Sequence, residues 1–402
     1  MPAKVAIVMV GLPARGKTYV ARKLLGFLSW TGRRTRMFNA GDYRREMLGA
    51  QHSHEFFSPE NAEGKAARLA VAKAALDDMF KWLRESGDVA IYDATNTTRA
   101  RRDLIRERCA HERVQPFFVE IIATDEREVE ATILETKVKT PDYASMSASE
   151  ATQDFRNRIA HYASAYEPVG GDEGSFVKYI DKGRNLVLHR VDSELGQLLV
   201  RFLMNLRGTR KLTWLTRHGE SQWNRSNLIG GDPDLSSSGQ AFAERLSSYV
   251  ADSEAMRGIV VWTSSLRRTV QTAKGIGARE HVMFRELDEI HAGVCEGMSY
   301  ADIRQKLPEE AVARARDKFR YRYPRGESYQ DLIERVLPVV LAYERELRPV
   351  LVVGHQAILR VLYSYLVGTP SEECPHISIP LHTLIALEPG IYDVSEKRIP
   401  LG

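Results

Sequence analysis

The stretch Gly11-Leu12-Pro13-Ala14-Arg15-Gly16-Lys17-Thr18 constrains this chain more than any other. Glycine, four residues, glycine, lysine and a hydroxyl residue is the spacing of a phosphate-binding loop. Its surroundings agree. Val5-Ala6-Ile7-Val8-Met9-Val10 is an unbroken apolar run, as a strand buried on both faces needs, and Tyr19, Val20, Leu24, Leu25 and Leu28 follow at helical spacing. Strand, glycine loop and helix aim backbone N–H groups at a polyphosphate at a helix N-terminus. Gly11 and Gly16 shape the loop, Lys17 is placed to neutralise the β and γ phosphates, and the Thr18 hydroxyl to hold a magnesium ion.

More strand and helix signals alternate through residues 1–206. Thr35–Asn39, Val89–Tyr92, Phe117–Ile122 and Leu186–Leu188 read as strands; a helix over 59–86 carries Leu69, Ala72, Leu76, Phe80 and Leu83 on one face. The pattern predicts a doubly wound parallel sheet, an α/β fold. A polar linker, 207–211, precedes a second α/β domain over 207–402, with strands at Leu212–Leu215, Val260–Trp262 and Val350–Val353. The 402 residues suit two domains, and 43% hydrophobic with 27% charged residues is an ordinary globular balance. A net charge of +4 is too small to point to a polyanion. Cys109, Cys295 and Cys374 are too sparse for a disulfide framework or a zinc site. No N-terminal signal and no apolar run of membrane-spanning length is visible, so a cytoplasmic enzyme with no membrane partner is expected.

Asp93 ends a strand where a second phosphate-loop carboxylate would hold magnesium or its water. The polar segments Asn39–Arg45 and Asp93–Arg102 follow two strands and could border one cleft, with arginines clamping a phosphorylated acceptor. On spacing alone, most of Arg99, Arg102, Arg106 and Arg108 read as a solvated helix face. In the second domain, Arg217-His218-Gly219 and Gly354-His355-Gln356 each follow a strand, so the two histidines can share a crevice. A neutral imidazole can attack phosphorus if its other nitrogen is held and cations screen the phosphate; Arg217 and Arg268 are available. A proton donor for the leaving oxygen is also needed. Glu289 and Asp288 are equally good candidates by position.

These segments resemble the 6-phosphofructo-2-kinase/fructose-2,6-bisphosphatase family. Gly11–Thr18, Asn39–Arg45, Asp93–Arg99 and Pro141-Asp142-Tyr143 are similar to its kinase half. Arg217–Asn224, Ile229–Pro233, Tyr321–Tyr329 and Pro380–Thr383 are similar to its bisphosphatase half, a phosphoglycerate-mutase-like histidine phosphatase domain. The resemblance implies that Lys17, Thr18 and Lys137 serve ATP and that Asp93 serves the magnesium and reacting phosphate. It places Arg45, Arg68, Thr95, Arg101, Arg158 and Tyr162 on fructose 6-phosphate. In the second half it implies His218 as the phosphorylated nucleophile and Glu289 as the acid, with Arg217, Asn224, Arg268 and His355 around the transferred group. Tyr300, Arg314, Lys318, Gln356 and Arg360 then hold the rest of fructose 2,6-bisphosphate. A homodimer is implied, without the regulatory extensions of animal members. Two rivals frame this reading. A polynucleotide end-repair kinase-phosphatase could use the basic–aromatic run Lys318–Tyr323, although the charge argues against nucleic acid; a metabolite sensor would keep both folds without turnover.

Overall fold

The computed structural model describes residues 4–137, 140–208, 210–390 and 393–402, the side chains of Thr136 and Lys137 excepted. Two compact units, Met1–Leu206 and Arg207–Gly402, divide the chain.

The first unit is built on a six-stranded sheet in the order β2-β3-β1-β4-β5-β6. Its strands are β1 (Val5–Val10), β2 (Thr35–Asn39), β3 (Val89–Asp93), β4 (Gln115–Ile122), β5 (Phe176–Ile180) and β6 (Asn185–His189). β1 lies between β3 and β4 with parallel register, and every β1 residue is buried, which is why the run contains no polar residue. The ends of β1, β2 and β3 therefore open at the same edge, with Asn39 opposite Asp93.

One strand was expected near residue 186, whereas the sheet ends in a hairpin: β5 runs parallel to β4, and β6 returns antiparallel at the edge. Phe176, Val177 and Tyr179 are buried, and the turn at 181–184 puts Asp181, Lys182 and Gly183 at positive φ. The long helix starts at Ala62, because the Asn61 side chain accepts the Gly64 N–H at 2.7 Å. Leu69, placed on its apolar face by sequence, is 40% exposed.

Arg102 also departs from its sequence reading. It is fully buried, with Nε 2.6 Å from Glu173 and NH1 donating to the carbonyls of Asn96, Thr97 and Glu167. It ties the segment after β3 to the chain that precedes β5.

The second unit has its own six-stranded sheet, ordered β12-β11-β7-β10-β8-β9. β7 (Thr213–Arg217), β8 (Val260–Thr263), β9 (Glu280–Met283) and β10 (Val350–Gly354) are mutually parallel; β11 (Thr383–Pro389) and β12 (Val394–Pro400) add an antiparallel edge. β7 and β10 are adjacent, with Arg217 opposite Gly354, so the residues that follow each strand emerge side by side. The three cysteines are buried and free. Among the described residues, no helix is long and apolar enough to cross a membrane.

Candidate active sites

In the first unit, Gly11 leaves β1 with φ +135°, and a Cβ there would collide with the Ile121 carbonyl of β4. Gly16 adopts φ 86° and caps the helix Lys17–Trp30. Only glycine supplies these two conformations without strain. The loop is braced from β3: Gly11 N–H donates to Thr95 O at 2.9 Å, and Asn96 Nδ2 donates to Met9 O at 2.8 Å. Lys17 is buried and folds onto Leu12 O at 2.6 Å, along the loop rim. Asp93 is 3% exposed and accepts from Asn39 Nδ2 at 2.6 Å, so its carboxylate is aimed along the strand ends. Thr18, one residue beyond Lys17, is half-buried in the first turn of the same helix. The side chain of Lys137 lies outside the described residues.

A basic cluster borders the same edge. Arg68 lies close to Tyr162, Arg101 and Arg158; burial first, then the charges of Arg101 and Arg158, lower its pKa against the pull of Tyr162. Arg68 donates to the carbonyls of Phe56 and Ser58, and Arg101 NH2 to Arg68 O at 3.3 Å. Arg158 lies 3.6 Å over the Phe57 ring. Arg101 NH1 and Arg158 Nε are buried with no hydrogen-bond partner among the described residues. Buried donors of this kind ask for an anion. Arg45 and Arg158 also meet at Asp142, each 3.4 Å from its carboxylate, while Arg44 holds it at 2.6 Å. Arg44 lies within the Asn39–Arg45 segment and Asp142 within the Pro141-Asp142-Tyr143 motif, but the sequence singles out neither as a site residue. Helical spacing gives no sign that a carboxylate 98 residues away closes this cluster.

In the second unit, two contacts fix the state of His218. Nδ1 lies 2.7 Å from Gly219 O, and a carbonyl can only accept, so Nδ1 carries the proton. Arg268 Nε donates to Nε2 at 3.1 Å, so Nε2 presents a lone pair. Burial first, then the charge of Arg268, holds the His218 pKa well below its usual value. A neutral imidazole with an unprotonated, oriented Nε2 can act as a nucleophile.

His355 lies 5.1 Å away, ring centre to ring centre. Its Nε2 is 2.8 Å from Ser264 Oγ, which is 2.8 Å from Thr269 Oγ1. Thr269 Oγ1 also reaches the backbone carbonyls of Leu266 at 2.8 Å and Ser264 at 3.2 Å. Ser264 Oγ can give or take the proton toward His355 Nε2, so Nε2 is held in either tautomer and Nδ1 is left buried without a partner among the described residues. Arg217 Nε is likewise buried without a partner among the described residues, and desolvation lowers its pKa to about 10. Two buried polar atoms without partners among the described residues, His355 Nδ1 and Arg217 Nε, thus belong to residues that flank His218.

Position does not separate Glu289 from Asp288, and in the structure their partners differ. Asp288 accepts from Ser265 N and Oγ, both at 2.8 Å. Glu289 accepts the Ala357 N–H at 3.1 Å, at the start of the helix Gln356–Val367, and lies near Arg217 and Arg268. Gln356 opens that helix directly after His355. Ser221 caps the short helix Gln222–Arg225: its Oγ accepts the Asn224 N–H at 3.2 Å, and Asn224 Oδ1 accepts the Ser221 N–H at 3.0 Å.

A second basic wall adjoins the pair of histidines. Arg314 NH2 reaches Tyr300 OH at 3.2 Å, and Lys318 Nζ reaches Pro375 O at 2.8 Å. Arg360 donates to Ile377 O at 2.7 Å and to Tyr329 OH at 3.1 Å. Burial, with Arg360 and Arg314 close by, lowers the Lys318 pKa to about 8. Tyr329, Ser264 and Thr269 were missed by sequence, because their roles are visible only through partners far along the chain. Within the basic–aromatic run, Phe319 and Tyr323 are buried and Arg320 and Arg322 pair with Asp317 and Asp331, so it presents no ladder of open aromatic faces.

Both units match known families. Residues 2–210 match 6-phosphofructo-2-kinase, and residues 213–397 match the histidine phosphatase superfamily, branch 1. The chain is 44% identical to a 6-phosphofructo-2-kinase/fructose-2,6-bisphosphatase of Arabidopsis thaliana, over 98% of this chain and 54% of that protein. It thus spans about half the length of that relative. It is 43% identical to 6-phosphofructo-2-kinase/fructose-2,6-bisphosphatase 4 of Rattus norvegicus, over 98% of this chain and 85% of that protein. Among solved structures, the alpha-ribazole phosphatase of Shigella flexneri is 26% identical and covers 46% of this chain and 94% of its own, with a TM-score of 0.42. The chain belongs to the 6-phosphofructo-2-kinase/fructose-2,6-bisphosphatase family.

Proposed function

We propose that this chain is a bifunctional enzyme that phosphorylates fructose 6-phosphate at the 2-position with ATP and hydrolyses fructose 2,6-bisphosphate back through phospho-His218. The observation that carries the reading is the fixed, unprotonated Nε2 of His218 between Arg217, Arg268 and His355, in a chain that also holds a complete phosphate loop.

In the second unit, Nε2 of His218 attacks phosphorus and the bond to the C2 oxygen breaks. Glu289 supplies the proton that oxygen takes up. Water then attacks the phosphohistidine, gives its proton to the Glu289 carboxylate and regenerates the imidazole. Arg217, Arg268, His355 and Asn224 screen the transferred oxygens, while Tyr300, Arg314, Lys318, Gln356 and Arg360 take the sugar and its 6-phosphate.

In the first unit, Gly11, Gly16, Lys17 and Lys137 hold the polyphosphate, and Arg45, Arg68, Thr95, Arg101, Arg158 and Tyr162 hold the sugar phosphate. The buried Asp93 carboxylate and the Thr18 hydroxyl are hard oxygen donors that fit a magnesium ion. That ion would neutralise charge on the phosphates. We also infer a cytoplasmic homodimer. Support for self-association comes from the edge strand β6, whose Val187 and Leu188 are 46% and 48% exposed.

Lys17→Ala should abolish 2-kinase activity and keep phosphatase activity, and His218→Ala should do the reverse. If either substitution removed both activities in a folded protein, the two-site reading would be wrong.

A further inference from the structure

Behind the reactive histidine, a second imidazole grips the same peptide group from the opposite end. The Gly219 carbonyl accepts the His218 Nδ1 proton at 2.7 Å. The N–H of that same peptide unit, on Glu220, donates to His382 Nε2 at 3.3 Å. Donation at one end of an amide polarises the acceptor at the other, so the two bonds reinforce each other.

His382 is held firmly for this task. Its ring stacks on Phe242 with centroids 4.8 Å apart, and its carbonyl accepts Leu401 N–H at 2.8 Å. The next residue, Thr383, is tied to β7 through its carbonyl and Thr216 Oγ1 at 3.0 Å. His382 itself takes φ 53°, an uncommon conformation for a residue with a Cβ. Nε2 can accept only in the neutral ring. Burial, with Arg245 and Arg217 nearby, favours that form against the pull of Glu220.

We propose that His382 is a positioning residue for the phosphatase reaction, holding the Gly219–Glu220 peptide so that its carbonyl keeps His218 in the tautomer that leaves Nε2 unprotonated. The proposal rests on the reading of His218 as the phosphorylated nucleophile. When Nε2 bonds to phosphorus, the ring becomes cationic and the Nδ1 proton presses harder on Gly219 O. A peptide held at its other end meets that demand without turning.

The test uses the full chain, fructose 2,6-bisphosphate labelled at the 2-phosphate, and two variants. His382→Phe keeps a ring on Phe242 and removes the acceptor. His382→Gln restores an acceptor at similar reach. Phosphoenzyme formation should slow on the order of 10–100-fold in the phenylalanine variant, as when the orienting partner of a working histidine is lost. KM should change little, and the glutamine variant should recover most of the rate. Nitrogen NMR of His218 should show a mixed tautomer only in the phenylalanine variant. The 2-kinase rate and inorganic phosphate binding at the second unit serve as folding controls. A wild-type burst in the phenylalanine variant, or equal slowing in both, overturns the proposal. A wild-type enzyme that never labels His218 overturns the underlying reading instead.

Discussion

Replacing Arg268 by methionine should separate the two chemistries of this chain most sharply. Arg268 is 4% exposed, with NH1 on Gly231 O at 2.8 Å and Asp232 at 3.8 Å, and Nε on His218 Nε2 at 3.1 Å. When phosphorus takes the Nε2 lone pair, that N–H turns to a phosphoryl oxygen. Hydrogen bonds to charged groups are each worth about 1.5–3 kcal/mol. Methionine fills most of the volume, and Arg217 and His355 still screen the phosphate. The net loss should therefore be near that of one oxyanion donor, roughly 3–4 kcal/mol or 10²–10³ in rate.

A second consequence follows from the charge. Arg268 disfavours the imidazolium, so its removal should raise the pKa of His218, while burial, the larger cause, keeps it below the usual value. Quenched-flow labelling gives the rate, and imidazole NMR titration gives the ionisation. The 2-kinase rate should stay at the wild-type level, and Arg268→Lys should not rescue, since an ammonium lacks the planar fork. A loss under about tenfold, against the expected range for an oxyanion donor, or a parallel loss of kinase activity, would refute the argument.

Gly11→Ala should remove 2-kinase activity and spare the phosphatase, because the added Cβ meets the Ile121 carbonyl at φ +135°; both rates on one preparation check this. Asp142→Asn should destabilise the first unit by ~3 kcal/mol, near the lower end for a broken buried pair, since Arg44 NH1 keeps a contact with Ala50 O. Burial pushes the Asp142 pKa up, but Arg44, Arg158 and Arg45 outweigh it and hold the pKa below the ordinary carboxylate value. This stabilisation is therefore present above the unfolded carboxylate pKa and lost as pH falls through the lower folded one, which urea unfolding across acidic pH will show. For the phosphatase, kcat/KM should fall as pH rises through about 8, where Lys318 loses its proton, and Lys318→Arg should flatten that limb. A limb unchanged in the arginine variant would remove Lys318 from the substrate site.

What could be read from the sequence was whatever chemistry writes into adjacent residues. The phosphate loop, Asp93 at a strand end and the two strand-end histidines are local signals, and β1, β3, β7 and β10 do carry them to common sheet edges. What escaped depends on partners far along the chain. Arg102 follows the same spacing as solvated arginines, yet Glu173 and four backbone carbonyls surround it. Arg68 and Arg158 entered only through the family resemblance, since nothing local says that Phe56 O and Asp142 will organise them. Glu289 and Asp288 are indistinguishable in a string of letters and are told apart by Ala357 and Ser265. β5 was hidden because Lys178 interrupts its apolar pattern, its amine reaching the buried Glu120 at 3.1 Å. The antiparallel edge β11–β12 places His382 behind His218, a relation that spans 164 residues of sequence.

The most direct test of the account is to trap the enzyme during hydrolysis of fructose 2,6-bisphosphate labelled at the 2-phosphate and map the label. Acid-labile phosphate on the peptide containing His218, absent in His218→Ala while that variant still makes fructose 2,6-bisphosphate, is the predicted result. Turnover at an undiminished rate in His218→Ala, or label on any other residue, would contradict it.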